Sequence, residues 1–227
     1  EVKGWVKLAQ GKDEKLRQGH LWVYANEIAE MGGEISDGQL VRVKDDDGRS
    51  VGSGFINRAS KITVRLLARG AAAFDAEALS ARLEAAIGRR RHLSCDARRL
   101  LNAEGDLLPG LVVDAYGDVA VVQTQILGWE LRRELVVGAI GEAFGPRALV
   151  LKNDSVAREA EGLERYTVVA HGEVAANQVI LEGGLELEVD ILGGQKTGFY
   201  IDQRENRKLV LPFVAGRRVL DCFCYTG

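Results

Sequence analysis

Between Glu1 and about Gly70, apolar side chains recur at alternate positions in four short runs, Trp5 to Leu8, Leu40 to Val43, Val51 to Ile56 and Ile62 to Leu67. A period of two sends successive side chains to opposite faces of an extended backbone, so these runs predict short strands with one face in a core. Asp45-Asp46-Asp47-Gly48 lies between two of them and predicts a hairpin turn, because aspartate hydrogen-bonds its own backbone and glycine accepts positive φ. A small β-rich unit is therefore expected over residues 1–70. The segment Gly70 to Phe74 has no strand pattern and marks a boundary. At 227 residues the chain is long enough for two compact units or more.

The next stretch changes period. Asp75 can cap a helix from Ala76 to about His92, with Leu79, Leu83, Ala86 and Ile87 on one face. Leu111 to Ala115 and Val119 to Ile126 predict a hairpin around Tyr116-Gly117-Asp118. A second helix is expected from about Trp129 to Phe144, with Leu131, Leu135 and Ile140 near helical spacing and Gly145-Pro146 ending it. Ala148 to Leu151 and Tyr166 to Ala170 complete the strands, with Ser155 able to cap a short helix between them. Strands and helix do not follow a regular βαβ rhythm, so residues 75–184 are expected to form an α+β unit.

From about Leu185 the pattern changes again: Leu187, Val189 and Ile191 alternate, and the segment GGQKTGFYIDQRENRKLVLPFVAGRRVLDCFCYTG follows. Asp202 and Glu205 have capping-box spacing ahead of a helix that Pro212 should stop or kink. Val219-Leu220 is expected to be a short buried strand. That strand would end on Asp221 and open a loop towards Gly227, a placement suited to a nucleotide-like ligand beyond a strand's carboxyl end.

Charge and composition narrow the function classes. The formal net charge of −3 argues mildly against a nucleic-acid binder, yet basic residues cluster in Arg89-Arg90-Arg91-His92, Arg98-Arg99, Arg132-Arg133 and Arg217-Arg218. Local patches, not net charge, make phosphate contacts. No apolar stretch approaches the ~20 residues needed to cross a bilayer, so no membrane association is expected. Glu1-Val2-Lys3 does not open a signal sequence. Cys95, Cys222 and Cys224 are too few and too unevenly spaced for a disulfide framework, and a cytoplasmic location is expected. Cys222-x-Cys224 is too small for a zinc site, and no metal is expected.

QKTGFYIDQRENR and VLDCFCYTG, separated by one helix, together resemble the start of the methyltransferase domain in the ribosomal RNA large subunit methyltransferase I family. GHLWVYANEI, from Gly19 to Ile28, is similar to a stretch of that family's N-terminal PUA domain. The resemblance covers nearly the whole chain. It implies a PUA pseudo-barrel over residues 1–70, a strand-strand-helix-strand-strand α+β domain over 75–184, and over 185–227 the beginning of a Rossmann-like α/β domain. The implied activity is methylation of carbon 5 of a cytosine in large-subunit ribosomal RNA, with S-adenosylmethionine as cofactor and RNA as partner. Relatives of the same architecture acting on another base or RNA, or a non-catalytic RNA-binding or ribosome-assembly protein, are the alternatives, and a homodimer is left open.

The resemblance also implies roles for particular positions. Gln195, Thr197, Phe199, Asp202 and Arg204 belong to a hairpin and helix that cover the cofactor, and Asp221, Phe223, Tyr225, Thr226 and Gly227 form the first methyltransferase motif. S-adenosylmethionine is a zwitterion with an adenosyl group and a sulfonium, so carboxylates, an aromatic face and close backbone approach suit it. On the PUA-like surface, Gly19, His20, Trp22 and Asn26, with Tyr24 beside them, are the implied RNA contacts; aromatic and amide groups can stack on or bond to unpaired bases. Carbon-5 methylation needs a thiolate that adds at carbon 6. The resemblance puts that cysteine beyond Gly227, not at Cys222 or Cys224, so these 227 residues are expected to be inactive alone.

Overall fold

The computed structural model describes residues 2–72, 74–93, 95–175 and 177–225. The first unit contains β1 (Gly4–Leu8), α1 (Glu14–Arg17), β2 (Trp22–Val23), β3 (Ile28–Gly32), β4 (Leu40–Lys44), β5 (Ser50–Ile56) and β6 (Val64–Arg69). They form a six-stranded sheet in the order β2-β6-β5-β4-β1-β3, with β1 parallel to β4 and the other pairings antiparallel. Val6, Leu8, Val41 and Val43 enter its core with Ile56, Val64 and Leu66, the inward half of the alternation expected from sequence. The β4–β5 hairpin turns through the acidic tetrapeptide: Asp45 Oδ1 accepts from Arg49 N at 2.8 Å, and Gly48 takes φ +84°. β2 and β3 had no strong alternation to announce them.

The second unit contains α2 (Ala76–Arg89), β7 (Ala97–Asn102), β8 (Leu111–Tyr116), β9 (Val119–Thr124), α3 (Leu127–Glu130), α4 (Arg133–Phe144), β10 (Ala148–Asn153) and β11 (Tyr166–His171). Its five strands run in the order β11-β10-β9-β8-β7, and only β9–β10 is parallel, as a crossover through helices requires. Asp75 accepts from Ala78 N at 2.9 Å and Ser155 accepts from Ala157 N at 3.3 Å, so both expected caps are made.

The single helix expected from Trp129 to Phe144 is instead two. Arg132 lies between α3 and α4, donating to Gly38 O at 2.7 Å and Gly128 O at 3.0 Å. The break shifts the apolar stripe: Val136, Ala139 and Ile140 are buried, whereas Leu131 and Leu135 are 55% and 40% exposed. Leu131 covers Gly38, where a Cβ would come within 2.4 Å of it.

The two units share a core. Phe55, Leu67 and Ala68 of the first sheet join Leu79, Leu83, Trp129 and Ile140 of the second unit in one cluster. Trp129 is fully buried, meeting Phe55 and Phe74 edge-to-face at 4.9 and 5.9 Å and donating from Nε1 to Pro109 O at 2.8 Å. Gly128 is obligatory here, because an added Cβ would lie 2.2 Å from the Phe55 ring. Polar groups close the seam: Asn57 Nδ2 donates to Glu161 O and Oε2 at 2.9 Å, and Arg65 pairs with Glu161 at 3.2 Å. The connector 70–74 is thus pinned at Phe74.

The last part holds β12 (Gln178–Glu182), β13 (Leu185–Val189) and α5 (Arg204–Val214). β12 and β13 form an antiparallel hairpin through Gly183-Gly184, both at positive φ. Leu185, the expected start of the third unit, falls inside this hairpin. Ile180, Val189, Ile191 and Phe199 pack on Ala97, Tyr116, Val121 and Val150, so the segment leans on the face of the second sheet away from α2 and α4.

Two local expectations fail. The capping box at Asp202 and Glu205 is not made, because a 3₁₀ turn over Ile201–Gln203 precedes α5 and turns Asp202 towards Lys196, 3.4 Å away. Pro212 is accommodated within α5, which continues to Val214. Val219 and Leu220 form neither a strand nor a buried pair; they are 62% and 85% exposed, having no neighbouring strand among the described residues to pair with.

Candidate cofactor cleft and nucleic-acid interface

The loop from Asp190 to Phe199 is built by glycines and short bonds. Asp190 Oδ1 accepts from Gly193 N at 2.7 Å, Asp190 O from Gly194 N at 2.9 Å, and Gln195 O from Gly198 N at 2.8 Å. Gly194 leaves room for Tyr225, whose hydroxyl would lie 2.6 Å from a Cβ there. That hydroxyl accepts from Gln195 N and donates to Gly198 O, both at 3.0 Å, and its ring meets Tyr200 edge-to-face at 5.5 Å. Lys196 sits at φ +54°, in the left-handed region, with its ammonium 4.3 Å from the centroid of the Tyr200 ring.

The loop is fastened to the second sheet by a buried chain of bonds. Thr197 Oγ1 donates to Asp114 Oδ2 at 2.6 Å, so the Tyr116 hydroxyl, 2.9 Å away, must donate to Thr197 while accepting from Phe199 N at 3.1 Å. Arg99 grips both Asp114 oxygens, at 2.9 and 3.0 Å. Burial, with the Asp114 charge beside it, pushes the Tyr116 phenol above its ordinary value and keeps it a donor. A second fastening joins α5 to β12: Arg207 binds Glu182 at 2.6 and 2.8 Å, and Arg204 lies 3.5 Å from it while also donating to Ala97 O. Burial alone would raise the Glu182 carboxyl, but the two arginines override it and hold it below the usual range.

These fastenings leave an open cleft of 880 Å³, within the size range of small-molecule sites. Of the residues implied by resemblance, Gln195, Phe199, Asp202, Asp221, Phe223 and Tyr225 line it together. Thr197 and Arg204 do not: Thr197 is 1% exposed and spent on Asp114, and Arg204 is turned to Glu182 and Ala97. Thr226 and Gly227 lie outside the described residues. Cys222 is exposed, and Cys224 lines the cleft. Arg99, Asp114, Tyr116 and Glu182 were not expected as parts of this architecture; an aspartate within β8 and a tyrosine at its end, in a strand whose other side chains are apolar, were the available signal.

On the first unit, Gly19, His20 and Trp22 meet in a shallow pocket of 320 Å³ closed by Glu104, whose Oε1 accepts from Trp22 Nε1 at 2.9 Å. His20, Trp22 and Tyr24 form an edge-to-face row at 5.7 and 6.4 Å, with the Arg65 guanidinium 5.7 Å from the Trp22 ring centre. Asn26 stands apart from that pocket, exposed on a 3₁₀ turn over Ala25–Glu27.

Residues 6–69 match the PUA-like domain family. Ribosomal RNA large subunit methyltransferase I of Shewanella amazonensis is 37% identical to the chain over 228 residues, and that of Shewanella denitrificans 38% over 229, each covering 98% of the chain. Over nearly its whole length, the chain is similar to these two proteins. It spans 58% of the length of each of these relatives. The crystal structure of SMU.776 complexed with SAH shares its fold, with a TM-score of 0.77 at 20% identity, covering 93% of this chain and 53% of that one.

Proposed function

We propose that the chain is the RNA-binding and cofactor-covering portion of an S-adenosylmethionine-dependent methyltransferase acting on carbon 5 of a cytosine in large-subunit ribosomal RNA. Its organisation on this reading is a PUA-like unit to residue 70, a linking unit over 75–184, and from about 185 the opening of a Rossmann-like catalytic domain. The observation that carries the reading is the cleft joining QKTGFYIDQ to Asp221, Phe223 and Tyr225, in a chain whose relatives are named ribosomal RNA large subunit methyltransferase I.

The residues present suit the cofactor. Asp202 and Asp221 offer carboxylates to an ammonium or ribose hydroxyls, and Phe223, 94% exposed, offers an open face to adenine or to the sulfonium. When bound, S-adenosylmethionine supplies an electrophilic methyl group. Tyr225 shapes the wall of the cleft, while Thr197 and Phe199 act by position, holding the loop that carries Gln195 and Lys196 against the second sheet. The cysteine nucleophile is placed outside these 227 residues, so the chain alone is expected to transfer no methyl group.

Methyl transfer by the full-length gene product onto unmodified large-subunit ribosomal RNA, with nucleoside analysis, tests the reading. Label in 5-methylcytosine is the expected result; label in another nucleoside moves the base, and absence of both label and cofactor binding overturns the enzyme reading. The His20–Trp22–Tyr24 row is the proposed stacking platform for unpaired bases. Trp22→Ala is expected to weaken RNA binding by about 1–3 kcal/mol, the usual cost of one lost base stack. Anisotropy titration at fixed salt measures it, and unchanged affinity would move the platform elsewhere.

A further inference from the structure

The outer face of the first sheet carries a second concentration of positive charge that the aromatic row does not include. Trp5 and Lys7 alternate outward on β1, and Arg42 and Lys44 on β4, while Val6, Val41 and Val43 turn into the core. Parallel register sets Trp5 beside Arg42 and Lys7 beside Lys44. The Lys44 ammonium lies 4.5 Å from the Trp5 ring centre. Trp5 in turn lies flat along β3, where a Cβ on Gly32 would come within 2.4 Å of its ring.

This face runs into a groove of 720 Å³ between the first sheet and the second unit, lined by Gln39, Arg42, Ser53, Phe74 and Arg132 among others. Nη1 of Arg42 is buried there without a hydrogen-bond partner. Arg132, anchored by Gly38 O, Gly128 O and Gln39 Oε1, neutralises no carboxylate among the described residues. Two carboxylates line the groove, and both are engaged: Glu34 pairs with Lys3 at 3.0 Å, and Asp75 caps α2. Glu30 flanks Lys7 on β3.

A buried guanidinium nitrogen with no acceptor is costly, and an anion seated in the groove removes that cost. We infer that the Arg42–Arg132 groove and the Trp5–Lys44 face beside it bind the phosphate backbone of an RNA strand. An acidic protein surface is the competing occupant, but the planar guanidinium forks and an aromatic ring interleaved with lysine match the phosphate and base chemistry of a single strand. The inference rests on the RNA reading given above and extends it to a second contact surface.

The test is titration of a fluorescein-labelled oligouridine with the full chain at several salt concentrations, comparing the native protein with Arg42→Gln and Lys44→Gln. Arg42 makes no bond within the protein through Nη1, and Lys44 only overlies Trp5, so both variants are expected to keep the native melting temperature. Each is expected to weaken binding and to lower the slope of log affinity against log salt by about 0.7, one phosphate contact on a single strand. Arg42→Lys is expected to recover part of the loss, since it restores charge without the fork. Native binding with unchanged affinity and slope in both variants overturns the inference and leaves the RNA reading standing. No binding by the native chain overturns the RNA reading itself. If Arg42→Gln fails to fold, Lys44→Gln decides on the same measure.

Discussion

Trp129→Ala is expected to lower stability by about 3–5 kcal/mol, and with it the melting temperature by roughly 6–20 °C. The indole is wholly buried, so its loss removes transfer free energy and leaves a cavity ringed by Phe55 and Phe74, which cannot both collapse inward. Trp129→Phe keeps most of the volume but orphans Pro109 O, at a smaller cost of about 1–3 kcal/mol. The form of the transition matters as much as its midpoint. Because Phe55 belongs to the first sheet and Ile140 to α4, yet both lie in one cluster with Trp129, calorimetry should show both units melting together at the lower temperature. A variant in which only one half of the heat absorption moved would refute the shared core.

Asp114→Ala is the second large effect, expected to cost about 3 kcal/mol, at the upper end for hydrogen bonds to a charged group. Asp114 is fully buried and receives Arg99 and Thr197. Arg99 is 41% exposed and can recover water, which limits the penalty on its side. Thr197 cannot: its buried hydroxyl would lose its acceptor and keep only the Tyr116 hydroxyl, which still accepts from Phe199 N. Asp114→Asn should cost less, because the amide oxygen still accepts. Hydrogen exchange separates this from general destabilisation: protection should fall first at the amides of Gly198 and Phe199, with β4 and β5 unaffected. Uniform loss across the first sheet would mean that Asp114 supports the whole core and not the loop.

How much of this was legible beforehand depended on whether the cause was local. β1, β4 and β5 came through because their alternation is set by a sheet with one face in the core, and the Asp75 cap because it needs only three residues. The hairpin of β8 and β9 was recognisable in outline although all twelve of its strand residues are buried. The break at Arg132 was not legible: it answers to carbonyls of Gly38 and Gly128, one of them 94 residues away in sequence. Val219-Leu220 reads as a buried strand, yet burial of a strand is a property of its neighbours. In the cleft, the family resemblance implied Gln195, Asp202, Asp221 and Tyr225, which line it, and equally Thr197, which has the same motif membership but is consumed by Asp114.

The bond between Thr197 and Asp114 joins residues 83 positions apart, and the longer reach costs little in closure entropy. Its larger consequence is chronological. As the chain leaves the ribosome amino end first, β8 is complete long before residues 193–199 emerge, so the sheet is a finished template onto which the loop is laid. The wall of the cleft is therefore among the last features of this chain to take shape, and on the proposed function a nascent protein would hold its nucleic-acid surfaces ready before it had anywhere to keep a methyl donor.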